Sequence, residues 1–162
     1  MVKLETTPTC AIARSTHLLG DKWSLLILRD MLIHKKSRFK EFMESKEKIA
    51  TNILTNRIKN LMDADLISLL DPDSTKKSRR YIVTEKGIST LPIIMELYMF
   101  SINDIHENVL NEQQLKIKQQ ILSNREYFES SKMDDYIAFK QGLLNEVKKT
   151  KESNLNYQNC LN

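Results

Sequence analysis

With 162 residues, of which 41% are hydrophobic and 28% charged, the chain has the composition of a folded globular protein, which excludes an intrinsically disordered one. Two cysteines are too few for a disulfide framework, and no apolar run is long enough to cross a membrane. Because the first residues also lack the apolar segment of a secretory signal, we expect a cytoplasmic protein.

The positive charge is concentrated in two stretches of the sequence. Residues 35–59 carry eight Lys or Arg against three Glu, and residues 76–86 carry five against one. Since the formal net charge is only +4, the rest of the chain is acidic. Two basic stretches on an acidic body indicate either a surface that binds a polyanion such as nucleic acid or ordinary solvated lysines, and charge alone leaves both open.

The N-terminal part of the chain predicts two helices. Thr7 is a favourable N-cap and Pro8 suits the first helical position, which predicts a helix over 8–19. Asp21 can cap a second helix, and the residues from 23 to 33 are apolar on nearly all sides. This second helix should therefore lie at the centre of the core.

The next two helices have the layout of a helix-turn-helix. A short helix around 39–45 is followed, after a turn, by a helix over 51–64 whose apolar residues form one stripe. The opposite face of this second helix is polar and rich in amides. Its residues are Thr51, Asn52, Thr55, Asn56 and Lys59.

A basic hairpin follows the helix-turn-helix. Residues 66–70 and 80–84 have the composition of strands, and residues 71–75 have turn chemistry. A hairpin directly after a helix-turn-helix is a wing. Four basic residues lie at its tip and on the returning strand: Lys76, Lys77, Arg79 and Arg80.

The remainder of the chain is predicted to be helical. Thr84 can cap a long helix over 85–103, which Pro92 should kink or tighten in its first turns. Two more helices are predicted over 111–129 and 133–147. The second of these has an apolar stripe that needs a cover, for which we expect the partner subunit.

The predicted fold class is mainly α with a small β-hairpin wing. A winged helix-turn-helix domain for DNA binding and dimerisation occupies residues 1–107, and a helical C-terminal extension occupies residues 108–162. Its end, from residue 150 onward, is expected to be frayed.

An ordered set of short motifs runs through the first two thirds of the chain. The motifs are Cys10, Gly20-Asp-Lys-Trp23, Leu25-Leu-Ile-Leu-Arg29, Arg38-Phe39 with Glu41, Ile49-Ala-Thr-Asn-Ile-Leu-Thr-Asn-Arg57, Tyr81-Ile-Val-Thr84 with Gly87, and Leu91-Pro92. Their order and spacing resemble those of the HxlR-type winged helix-turn-helix transcriptional regulators over about residues 8–105.

This resemblance implies a DNA-binding homodimer that regulates transcription. It implies a recognition helix over 51–64, a wing over 71–79, and a dimer interface built by the first helix and the long helix after the wing. The chain has Asp65 where such regulators often have Gly, and Asp tolerates the left-handed conformation needed there at some cost. The expected partners are double-stranded DNA, a second copy of the chain and an unidentified small-molecule or oxidant effector. No cofactor or metal is expected.

The candidate DNA-contacting residues divide by chemistry. The polar face of the 51–64 helix predicts contacts to base edges, whereas the basic wing predicts contacts to phosphates, which position a protein without reading sequence. Arg57 either clamps a phosphate or forms a structural pair with Glu41 or Glu44. The complete set is Arg38, Thr51, Asn52, Thr55, Asn56, Arg57, Lys59, Lys76, Lys77, Arg79 and Arg80.

Cys10 is a candidate redox-sensing residue. It lies near the predicted start of the first helix, where the helix dipole favours a thiolate, and Arg14 lies one turn further on. An inert apolar residue at the interface is the alternative. The resemblance adds weight to the first interpretation, because some HxlR-type regulators sense oxidants or electrophiles through a cysteine at this position.

The sequence indicates a regulator and not an enzyme. It has no Gly-rich phosphate loop, no nucleophile elbow and no metal-ligand spacing among its His and Cys residues. We expect a homodimer on a near-palindromic operator, responsive to a ligand or to thiol oxidation. The alternative is a winged-helix module that binds a partner protein and has no sequence-specific DNA binding.

Overall fold

A computed structural model describes residues 9–159, with side chains described up to residue 154. Helices occupy Ala11–Leu19 (α1), Lys22–Leu32 (α2), Phe39–Met43 (α3), Thr51–Asp63 (α4), Glu85–Ile88 (α5), Leu91–Ile102 (α6), Glu112–Ser123 (α7) and Arg125–Asn159 (α8), with a short 3-10 helix at Glu107–Val109. Strand β1 (Ile67–Leu69) pairs with β2 (Tyr81–Val83) in an antiparallel hairpin. The predicted fold class, mainly α with a small hairpin wing, is confirmed.

Helix α2 is the centre of the core, as its apolar sequence predicts. Leu28 and Met31 in this helix are fully buried. Asp21 caps it, because the carboxylate accepts the backbone N–H groups of Trp23 and Ser24 at 3.0 Å each. Helix α1 begins at Ala11 and not at residue 8. The predicted capping residues of α1, Thr7 and Pro8, lie outside the described residues.

The end of α4 turns the chain directly into the wing. Asp65 follows the helix with a φ of 57°, the left-handed conformation that the sequence predicts for it. The backbone N–H of Leu66 donates to the carbonyl of Leu61, and that of Asp65 donates to the carbonyl of Met62, both at 2.9 Å. These two bonds form a Schellman motif, which satisfies the last carbonyls of α4 and directs the chain into β1.

The turn out of β2 depends on a glycine. The Thr84 hydroxyl accepts the N–H of Gly87 at 3.1 Å and donates to the carbonyl of Asp65 at 2.7 Å. A Cβ on Gly87 would lie 2.0 Å from the carbonyl oxygen of Leu66. The close approach of α5 to the chain entering β1 therefore requires the missing side chain.

The single long helix predicted over 85–103 is instead two helices, α5 and α6. Pro92 lies in the first turn of α6. A proline ring clashes with the carbonyl four residues earlier, which here belongs to Ile88, the last residue of α5. The chain therefore breaks at residues 89–90 and restarts with Pro92 at a position where its missing N–H has no consequence.

The C-terminal extension packs on the same core as the helix-turn-helix. Ile121 of α7 and Phe128 and Tyr136 of α8 are buried in one cluster with residues of α2 and α6. The extension forms two helices, as predicted, but the break between them lies at Asn124 and not after residue 129. Helix α8 runs without a break to Asn159, past the end predicted at residue 147 and through the described part of the segment expected to fray. Among the described helices, none is both long and apolar enough to span a membrane.

The apolar stripe of α8 is covered within the subunit. Leu143 is buried against Leu70 and Ile82 of the hairpin, with Leu144 and Val147 packed beside them. The expectation that a partner subunit covers this stripe is therefore wrong. The stripe follows α8 along the hairpin, which explains why the helix continues past the end predicted for it.

Candidate nucleic-acid interface

Helix α4 presents its predicted polar face to solvent. Its other face is buried through Leu54, Ile58 and Leu61. Asn60 is exposed as well, although the sequence analysis did not include it in this face. It follows Asn56 by four residues, so the helical periodicity of the polar face could have indicated it. Contacts of this face with DNA remain a prediction. The predicted residues found exposed are Thr51, Asn52, Thr55, Asn56 and Lys59.

A buried carboxylate that the sequence analysis missed holds the helix-turn-helix together. Asp30 of α2 is only 3% exposed. It accepts hydrogen bonds from Arg29 and Lys36, each at 2.7 Å, and from the hydroxyl of Ser45. Arg29 also donates to Glu47 at 2.7 Å. One carboxylate thus ties α2 to the segment before α3 and to the turn that leads into α4.

The surroundings of Asp30 keep its carboxyl ionised. Burial alone would raise its pKa, but the hydrogen bonds from Lys36, Ser45 and Arg29 outweigh it and hold the pKa below its ordinary value. The sequence could have indicated this network, because Asp30 lies in a helix predicted to be buried and a buried carboxylate needs hydrogen-bond donors.

Arg38 lies at the start of α3, where its backbone is part of a helix cap. The carboxylate of Glu41 accepts the N–H groups of Ser37 at 2.7 Å and of Arg38 at 2.8 Å. The Arg38 side chain is partly buried. Glu41 is therefore committed to the cap of α3.

Arg57 has a different structural partner from the ones predicted. Its Nε lies 3.2 Å from Oδ1 of Asp21, the residue that caps α2. This is an ion pair without a hydrogen bond, since the buried Nε–H has no correctly oriented acceptor among the described residues. The Arg57 side chain is 31% exposed and links α4 to the start of α2, so a pair with Glu41 or Glu44 is wrong.

The four basic residues of the wing do not form one group. Lys76 and Lys77 are exposed at the tip, whereas Arg79 and Arg80 are partly buried. The guanidinium of Arg80 lies 3.3 Å from the carboxylate of Glu146 on α8. Arg80 is thus turned toward α8, and Lys76 and Lys77 are left facing solvent.

Helix α8 fixes the base of the hairpin through a buried hydrogen bond. The hydroxyl of Tyr136 accepts the backbone N–H of Val83 at 2.7 Å. Burial raises the pKa of Tyr136 to about 12, so this side chain stays neutral at physiological pH. The bond satisfies a strand N–H that would otherwise be buried without a partner.

Helices α1 and α6 each expose large apolar side chains. Ile12 of α1 is 75% exposed, and on α6 Leu97 is 47% and Phe100 83% exposed. These side chains lie on the two helices that the family resemblance assigns to dimerisation.

Cys10 is exposed at the N-cap of α1, one residue before the helix, and its side chain makes no capping bond. Its thiol is therefore accessible to reagents in the single subunit. Within residues 9–154, no cluster of three or more His, Cys, Asp and Glu side chains could hold a metal ion.

An apolar cavity of about 450 Å³ lies between α2, α6 and the extension. Its wall includes Leu26, Met95, Tyr98, Ile117 and Phe128. Two of these residues, Ile117 and Phe128, come from the extension, so the cavity is built jointly by the helix-turn-helix body and the C-terminal helices.

A profile of the HxlR-like helix-turn-helix family matches residues 18–109. The solved structure of PA1607, a proposed transcription factor, is similar at 28% sequence identity and a TM-score of 0.55, covering 64% of this chain and 71% of that one. A proposed MarR-family regulator from Porphyromonas gingivalis W83 has 24% identity and a TM-score of 0.51, covering 60% of this chain and 94% of that one. The reduced form of the regulator YodB from B. subtilis has 25% identity and a TM-score of 0.45, covering 58% of this chain and 92% of that one. No curated protein matches the chain. Because the profile covers more than half of its length, the chain belongs to the HxlR-like helix-turn-helix family.

Proposed function

We propose that this chain is a cytoplasmic transcription regulator without catalytic activity, which binds operator DNA as a homodimer. The observation that carries the proposal is the exposed, amide-rich face of α4, on a helix whose opposite face is buried in the core. Family membership and the two exposed lysines at the wing tip support the same function.

The two surfaces have different roles in this proposal. Asn52 and Asn56 lie in the first two turns of α4, the part of a recognition helix that reaches base edges, and an amide can both donate to and accept from adenine. Lys76 and Lys77 bind phosphates, which sets the orientation of the protein on the duplex.

Selection of bound duplexes from a random pool tests this function. We expect an enriched, near-palindromic motif whose half-sites lie about one helical turn apart. Binding should weaken as the salt concentration rises, because phosphate contacts release counterions. A winged-helix module that binds only proteins would enrich no motif, and that result would overturn the proposal.

The exposed apolar side chains of α1 and α6 support the homodimer. Sedimentation should show a dimer at micromolar concentration for the natural chain and a monomer for Phe100→Ser, since Phe100 is 83% exposed in the single subunit. Tyr127→Ser is a matched control, because Tyr127 is 73% exposed but lies on α8. A natural chain that sediments as a monomer contradicts this assembly.

Thiol chemistry at Cys10 is the proposed route for an oxidant or electrophile to act. The Cys10 thiol is exposed next to α1, so alkylation with N-ethylmaleimide adds bulk beside the proposed interface. We expect the reagent to change operator binding of the natural chain and of Cys160→Ser but not of Cys10→Ser. Cys160 lies outside the described residues. An equal response of Cys10→Ser and the natural chain would exclude Cys10.

The apolar cavity offers a place for a small-molecule effector. Its wall is mainly apolar but includes Arg29, His34 and Tyr98, which favours an uncharged ring compound with one polar group. Naphthol should raise the melting temperature of the natural chain and should not raise that of Ile117→Trp, in which the added ring fills the cavity. Equal shifts for both proteins would show that naphthol binds elsewhere.

A further inference from the structure

Helix α8 follows the wing from its base toward its tip. At the base, Tyr136 bonds to Val83 in β2. Ten residues further along α8, about 15 Å, Glu146 pairs with Arg80 just before β2. The following turns of α8 therefore lie beside the loop that joins the two strands.

Lys151, on one of these turns, reaches two carboxylates of the wing loop. Its Nζ lies 2.8 Å from Asp71 and 2.9 Å from Asp73. The bond from Lys151 lowers the pKa of Asp71, so both partners are charged at neutral pH. Asp73 is 83% exposed and precedes Lys76 by three residues, which places its negative charge near the lysines at the wing tip.

We propose that Lys151 is a positioning residue for DNA binding, which offsets one of the two negative charges of Asp71 and Asp73 so that the wing loop can approach phosphates. This inference rests on the proposed binding of DNA by the wing. Without the ammonium group, the loop that carries Lys76 and Lys77 would also carry two uncompensated carboxylates, which repel the polyanion that these lysines bind. Lys151 lies beyond residues 18–109, so this role belongs to the extension and not to the part of the chain that the family profile matches.

The test compares the affinity of single and compensated variants for one duplex at 50 mM salt. Lys151→Gln should bind roughly two- to fivefold more weakly, as expected for losing one positive charge about 10 Å from a phosphate, and the loss should shrink as salt rises. Adding Asp71→Asn and Asp73→Asn to Lys151→Gln should raise the affinity to at least that of the natural chain, because the three residues then carry no charge, against a net −1 in the natural chain.

Asp71→Asn combined with Asp73→Asn, with Lys151 intact, separates charge from structure. This variant lacks the ion pairs of the natural chain, so a purely structural role of the pairs predicts weaker binding, whereas the charge argument predicts binding at least as tight as that of the natural chain. Weaker binding of this variant would overturn the inference, as would natural affinity in Lys151→Gln.

Lys149→Gln is the matched control for net charge. Lys149 is exposed and, by helical periodicity, lies about 200° around α8 from Lys151, away from the wing. We expect less than a twofold effect, and a loss equal to that of Lys151→Gln would overturn the inference. If the natural chain binds no duplex, the proposed function itself fails. If the natural chain binds the duplex and Lys151→Gln binds it with the same affinity, this inference fails and the proposed function stands.

Discussion

The recognition helix and the wing are anchored from different parts of the chain. The approach to α4 is held by the Asp30 network, whose members all lie between residues 29 and 47. The wing is held by α8, through contacts between residues 53 to 80 positions apart in sequence. The polar face of α4 is exposed as its sequence predicts, whereas Arg79 and Arg80 of the wing are partly buried. Arg80 is turned away from solvent by Glu146, a residue of α8 that is distant in sequence and that no local pattern could indicate.

Removing the support of α4 should have the largest effect on stability. We expect Asp30→Asn to lower the free energy of unfolding by about 3–5 kcal/mol, because it leaves Lys36 without its charged partner and Arg29 with Glu47 alone. Urea denaturation measures this loss. Asp134→Asn, an exposed carboxylate on α8, should change stability by less than about 0.5 kcal/mol.

The contribution of Asp30 to the free energy of unfolding should also depend on pH. The pKa of Asp30 is lowered in the folded state, so its contribution is complete above the ordinary Asp value of about 3.9 and is lost as the pH falls through the folded-state value. Asp30→Asn should lack this component of acid destabilisation. An unchanged acid profile would show that Asp30 does not supply it.

Removing the support of the wing should have the next largest effect. Leu143→Ala opens a cavity against Leu70 and Ile82, and we expect a loss of about 2–3 kcal/mol in the free energy of unfolding. Ile137→Ala on the same helix is the control, since Ile137 is 50% exposed and should have a much smaller effect. Equal losses in the two variants would contradict a specific α8–hairpin contact.

Substitutions on the exposed face of α4 should affect the choice of sequence. Asn52→Ala should cost about 1–3 kcal/mol of binding free energy at particular base pairs of the selected operator, with little effect on unrelated duplexes. Asn60→Ala, two turns further along the same helix, should cost less because it lies farther from the end of α4 that enters the groove. A larger loss for Asn60→Ala than for Asn52→Ala would show that the C-terminal part of α4 contacts the bases.

Charge changes on the wing should produce the smallest and least selective effect. Lys76→Gln should lower the slope of log affinity against log salt by roughly 0.9, the value for one lost phosphate contact. Arg80→Gln should leave the slope nearly unchanged, because Arg80 is already paired with Glu146. Equal slopes for Lys76→Gln and the natural chain would remove the tip of the wing from the DNA interface.

Most of the local structure could be predicted because its determinants are neighbours in sequence. The cap at Asp21, the stripe of α4 and the left-handed turn at Asp65 each depend on residues within about one helical turn. The break between α5 and α6 had its signal in Pro92, but whether a proline kinks or ends a helix depends on what surrounds it.

The winged helix-turn-helix, the buried role of α2 and the exposed polar face of α4 follow from the amino-acid sequence, because periodicity and capping are local properties of the chain. The partners of charged groups and the position of the extension depend on the tertiary fold. Arg57 pairs with Asp21, Arg80 with Glu146 and Lys151 with Asp71, and each of these pairs joins residues at least 36 positions apart. A charged side chain carries no local pattern that names its partner, so these contacts exist only once the core has brought distant helices together.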